Sequence, residues 1–170
     1  MAVDMFLSLL PYGGAQPIKG EAQDANHKGE IEVLFWSWAA SQSVTIGGGP
    51  SGVSSGKITF EKFHLRKYVD SATPILYRYM CSGTPFELAN LTVRKAGGNP
   101  LEYLTVRFKL VAVSNIQWSG PDETTELMIE NVTFEFGGAF IKYVAQAADG
   151  KKLAALEHGY DIIQQKAVHI

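Results

Sequence analysis

Alternation of apolar and polar residues at a period of two, broken at short intervals by glycine- and proline-bearing turns, restricts the fold of this chain more than any other feature. Each such run presents every second side chain to one face, so it buries one face only and needs another sheet to cover it. The first run spans residues 30–40, where Leu34, Trp36 and Trp38 alternate with Phe35 and Ser37. Leu34, Trp36 and Trp38 are expected to face the core, which puts Phe35 and Ser37 on the opposite face. Between residues 57 and 69 the apolar phase shifts from Ile58 and Phe60 to Phe63 and Leu65, as one irregular strand with a bulge at Glu61-Lys62 would produce. Further runs cover residues 86–95, 103–116, 126–136 and 139–145, with turns at Gly97-Gly98-Asn99-Pro100, Pro121-Asp122 and Asp149-Gly150. Residues 156–168 are ambiguous between strand and short helix, and Gly159 and Tyr160 favour strand.

One segment reads differently. Thr73 suits an N-cap, Pro74 the first turn and Gly83 a left-handed C-terminal position, with Leu76, Tyr79 and Met80 as a buried stripe. The expected fold is therefore all-β: a single β-barrel domain over residues 1–170, of about seven to nine mostly antiparallel strands, with one flanking α-helix at about 73–83.

Composition narrows the function. A hydrophobic share of 46% supports a full core, and 15 basic against 17 acidic residues give no net field to attract nucleic acid or an anionic membrane. Cys81 is the single cysteine, which excludes an intrachain disulfide and any multi-cysteine metal site. It reads as a small buried hydrophobe in a reducing cytosol. No basic n-region precedes the short apolar run that stops at Pro11, so no Sec-type signal peptide is expected, and no apolar run reaches the ~18 residues of a membrane span.

Catalytic patterns fail on context. Gly47, Gly49 and Gly52 fit the dinucleotide fingerprint by letter, and Asp70 lies near the distance of a ribose-binding acid. Pro50 interrupts that loop, however, and a strand rather than a helix follows it. Asp24, His27 and Glu30 cluster without a second histidine at ligand spacing and read as a solvated loop. His64, His158 and His169 are scattered, Asn90 and Asn131 read as strand residues, and Arg94-Lys95 reads as an edge-strand charge pair. Neither a cofactor nor a metal is expected, and the chain is expected not to be an enzyme.

Several segments carry a resemblance. Residues 1–7 (MAVDMFL), Trp36-Ser37-Trp38, Lys67-Tyr68-Val69-Asp70 with Pro74, Arg94-Lys95-Ala96-Gly97-Gly98 and Glu130-Asn131-Val132-Thr133 follow in order a pattern similar to that of the Hcp family, the haemolysin-coregulated tube proteins of bacterial type VI secretion systems. The resemblance covers nearly the whole chain. It implies a β-barrel with one helix that assembles as a homo-oligomer into hexameric rings stacked as a tube. It further implies a contractile sheath, a spike protein and effector proteins as partners, with no nucleic acid and no membrane. A bacterial cytoplasmic protein later secreted by the type VI machine without a signal peptide is the implied localisation.

On that basis Ser37 and Phe35 are expected to face the ring's inner wall and contact effectors. Gly47, Gly48, Gly49, Pro50, Ser51 and Gly52, within a glycine- and serine-rich loop over residues 47–56, are expected to contact neighbouring subunits. The alternatives are a monomeric β-barrel binding a small ligand or carbohydrate, a phage-like tail-tube subunit and, from a different class, a hydrolase using Asp24 and Glu30.

Overall fold

A computed structural model describes residues 3–47, 53–95, 100–121, 126–147 and 151–168. In chain order the elements are β1 (Val3–Pro11), β2 (Ile31–Glu32), β3 (Phe35–Ser37), β4 (Ala40–Ile46), β5 (Val53–Phe60), β6 (Phe63–Tyr68), α1 (Thr73–Ser82), β7 (Phe86–Lys95), β8 (Leu101–Ser119), β9 (Ile129–Gln146), β10 (Lys152–Asp161) and β11 (Lys166–Val168). The fold is mainly β with one short helix, as the alternation requires.

The large sheet runs in the order β11-β10-β9-β8-β7-β1-β2, and β6 pairs with both β9 and β3. Residues 31–37 link the β2 end of this sheet to β6. Leu7 lies opposite Ile31, while Trp36 lies opposite Leu65. Between them Val33 N–H donates to the Met5 carbonyl at 2.9 Å, and Leu34 N–H to the Arg66 carbonyl at 2.8 Å. One short segment thus bonds β1 on one side and β6 on the other, and the circuit β1, β7, β8, β9, β6 returns to its start.

The interior follows the pleat. On β6 the burial alternates strictly, with Phe63, Leu65 and Lys67 inward. Phe63 packs on Phe108 and Phe134 with ring centroids 4.6 and 5.8 Å apart, and Leu7, Leu9 and Leu91 complete a fully buried centre.

Helix α1 packs against the barrel. Leu76 is its buried residue and Tyr79 stacks on Phe86 at 4.3 Å. It ends where Gly83 adopts φ +63°, and the Thr84 N–H bonds the Tyr79 carbonyl at 3.2 Å.

Several expectations are corrected. Thr73 is the first helical residue rather than the cap: Ala72 holds the cap position, and the Thr73 hydroxyl accepts from the Asp70 N–H instead. Leu34 is exposed and Val33 takes its place in the core, because the break between β2 and β3 shifts the side-chain phase by one. The expected strand over residues 30–40 is divided among β2, β3 and the start of β4, and β5 and β6 are separate strands in different sheets. Cys81 is exposed on α1, not buried. The tail, ambiguous by sequence, is strand: β10, a turn and β11. The expected turn residues Gly97, Gly98, Asn99, Asp122, Asp149 and Gly150, and also His169, lie outside the described residues.

Candidate functional site

β3 carries Phe35 and Ser37 on the outside of the barrel, Phe35 being 57% exposed, while Trp36 packs on the core between them. The outer wall extends sideways from them by strand pairing. Phe35 lies opposite Arg66, Arg66 opposite Asn131, and Asn131 opposite Gln117. A neighbouring row runs Ser37, His64, Thr133 and Asn115, held by a 3.0 Å contact between His64 Nδ1 and the Thr133 hydroxyl. Directly opposed residues on one face of an antiparallel sheet stand close enough to act together. The wall is accordingly an array of hydroxyl, imidazole and amide groups, with Arg66 and Phe35 side by side. The pleat of β6 sends Arg66 outward, between buried Leu65 and Lys67. Its row partners come from other strands and no local signal reveals them.

A buried polar cluster supports the wall from inside. Lys67 and Glu130 are both fully buried, with Lys67 Nζ 3.5 Å from Glu130 Oε2. The ammonium also donates to Asp70 Oδ1 at 2.8 Å, to the Tyr68 carbonyl at 2.7 Å and to the Thr73 hydroxyl at 3.2 Å. Thr73 in turn donates to Glu130, and Asp70 Oδ1 accepts from the Ala72 N–H at 2.9 Å. Hydrogen bonds of this kind offset the cost of burying the ammonium and Glu130 Oε2, while Glu130 Oε1 is buried with no hydrogen-bond partner among the described residues. The cluster ties β6, β9 and the start of α1 into one unit.

β4 and β5 form a separate two-stranded sheet, and every β4 residue is exposed, including Val44 at 52% and Ile46 at 81%. This hairpin is rooted by stacking of Trp38 on Phe60, with centroids 6.0 Å apart, and by Phe60 against Phe136 and Tyr160. Gly47 follows β4 as an exposed bend with φ +83°, a conformation that glycine adopts without strain. Gly48, Gly49, Pro50, Ser51 and Gly52 lie outside the described residues. β10 adds further uncovered apolar surface through Leu153 and Leu156, and it pairs with β11 only at residues 159–161.

The cluster read as a solvated loop is a packed corner instead. His27 is buried, stacked on Phe6 at 4.3 Å, with Nδ1 3.1 Å from Glu30 and Nε2 3.4 Å from Glu102. Arg94 covers the Phe6 ring at 5.2 Å. It is a buried cation paired with Asp24 at 2.6 Å and Asp4 at 2.8 Å, not a solvated edge charge. The Arg94 hydrogen bonds hold the Asp24 carboxyl well below its ordinary range, at about 2, and the two carboxylates, Asp24 first, raise the guanidinium's affinity for its proton. Sequence separations of 70 and 90 residues hid this pairing. Among the described residues no group of His, Cys, Asp and Glu is arranged to hold a metal ion, and no helix is long and apolar enough to cross a membrane.

Comparison with known proteins places this architecture. Residues 8–143 match the family described as type VI secretion system effector, Hcp. Protein hcp1 of Pseudomonas aeruginosa (strain PAO1) is 39% identical over 166 residues, covering 96% of this chain and 98% of that protein. A solved type six secretion system protein superposes with a TM-score of 0.87 at 27% identity, over 98% of this chain and all of its own. Hcp1 from Salmonella typhimurium gives a TM-score of 0.75 at 32% identity, over 99% of this chain and 100% of that structure.

Proposed function

The chain belongs to the Hcp family of type VI secretion system proteins, and from that premise we propose that it is a structural tube subunit that works by assembly rather than catalysis. Identical copies close into hexameric rings, the rings stack into a tube, and effector proteins ride in the lumen. A contractile sheath drives the tube and its spike outward from the cytoplasm, a route that needs no signal peptide.

The observation that carries this reading is where the apolar surface lies. The barrel is already closed, yet the chain leaves Val44, Ile46, Leu153 and Leu156 uncovered on β4 and β10. Uncovered apolar strand faces of this kind mark association sites. Two different surfaces on one chain suit a heterologous contact, the kind that closes into rings. In this arrangement the β4–β5 hairpin reaches to neighbouring subunits, with Gly47 to Gly52 proposed as contact residues, and the wall bearing Ser37 and Phe35 faces the passenger.

Negative-stain microscopy and sedimentation of the purified protein test the proposal. Annular particles are expected, and shortening the β4–β5 hairpin is expected to move the material toward monomer. A particle that stays solitary over a wide range of concentration and salt would overturn it.

A further inference from the structure

The charges on the outer wall do not balance, and the excess sits at one residue. Arg66 is exposed, and among the described residues no carboxylate lies within ion-pair distance of its guanidinium. The positions where a neutralising acid would stand in its row carry amides, Asn131 and then Gln117. Glu135, on the same face of β9, is committed to Lys62 at 2.8 Å, and Glu32 belongs to the segment paired with β1. Apolar rings flank the cation. Phe35 stands directly opposite it, and Tyr68 follows two residues along β6, still 36% exposed.

A guanidinium is a rigid planar fork that matches a carboxylate with two parallel hydrogen bonds. Aromatic surface beside it excludes water from such a contact and rewards an apolar neighbour on the partner. We infer that Arg66, with Phe35 and Tyr68 beside it, selects protein passengers that present a carboxylate next to an apolar side chain. This rests on the reading of that wall as passenger-facing. In a ring the site recurs in every subunit, so contacts that are weak singly add through multivalency. A nucleic acid would be the other polyanion to consider, but one cation per subunit among amides and hydroxyls lacks the basic track that phosphate backbones require.

The test uses two fluorescein-labelled amphipathic peptides of equal length and identical leucine face, with polar positions all glutamate in one and all lysine in the other. Anisotropy titrations against the intact protein should show binding of the glutamate peptide alone. Arg66→Gln should weaken it about tenfold, as loss of a charge-assisted hydrogen bond does. Phe35→Ser should weaken it as well, and Lys142→Gln, on an exposed position of the upper part of β9, should leave it unchanged. Equal affinity for the two peptides, or affinity unmoved by Arg66→Gln, overturns the inference. So does capture of oligothymidylate with the same Arg66 dependence, which would assign the wall to nucleic acid. Mass photometry of the same samples separates the two readings. Intact rings without Arg66-dependent binding sink this inference alone, and Arg66-dependent binding without rings sinks the assembly proposal alone.

Discussion

The barrel and the β4–β5 hairpin are built from the same kind of alternating sequence and reach opposite outcomes. In the barrel, β6 sends Phe63 and Leu65 into a core that covers them completely. In the hairpin, Val44 and Ile46 alternate with polar residues in the same way and nothing among the described residues covers them. A two-stranded sheet without a covering layer is marginal in water. The difference shows that period two specifies a strand with an apolar face, while the cover for that face is a matter of topology, supplied for β6 by the rest of the barrel and for β4 by nothing among the described residues.

Five experiments break or sharpen the contrast, the first expected to have the largest effect. Lys67→Met leaves Glu130 as an uncompensated buried charge and should cost about 3–5 kcal/mol in urea unfolding. Joining it to Glu130→Leu should return much of that loss, and a single variant as stable as the parent would mean the barrel does not depend on this cluster. Next comes Gly159→Ala, whose new Cβ would stand 2.1 Å from the Phe140 ring. Overpacking of this order should cost about 1–3 kcal/mol.

The hairpin should behave in the opposite way. Val44→Ser with Ile46→Ser is expected to change subunit stability by no more than about 0.5 kcal/mol. In hydrogen exchange on dissociated subunits, β4 and β5 amides should exchange far ahead of those in β8 and β9. Slow exchange throughout the hairpin would erase the distinction between the two regions.

The last effect is a loss of stability in acid. Asp24 has its pKa lowered from 3.8 to about 2 by Arg94. Its contribution is therefore fully present above pH 3.8 and is lost as pH falls toward 2. Asp24→Asn should be less stable than the parent at neutral pH, and the two acid-unfolding curves should converge below about pH 2. Parallel curves through that window would show that the corner does not link protonation to folding.

Legibility in the sequence followed the range of the interactions. Strand β7 begins and ends where its alternation does, at Phe86 and Lys95, and Pro74 and Gly83 mark α1 through local backbone chemistry. The outward direction of Phe35 and Ser37 was also legible, since it needs only the pleat. Leu34 was misassigned because closure of the barrel through residues 31–37 breaks the phase between β2 and β3, and that break is imposed by strands far along the chain. Arg94 looked like an edge charge for the same reason, its partners being Asp4 and Asp24. Cys81 was misplaced because the helix buries Leu76 and turns the cysteine toward solvent. Arg66 could be sent outward by counting residues. That no counter-ion stands beside it among the described residues depends on β3, β8 and β9, strands distant from it in sequence.

The aromatic root of the hairpin has a mechanical consequence. Trp38 and Phe60, braced by Phe136 and Tyr160, form the fulcrum of a cantilever. Seven residues of β4 at about 3.3 Å each project the tip roughly 20 Å from that pivot, so a tilt of about 5° there sweeps the tip through nearly ~2 Å. Slight ring repacking at the pivot is thereby magnified at the far end. A swing of this limb leaves the interior of the barrel undisturbed.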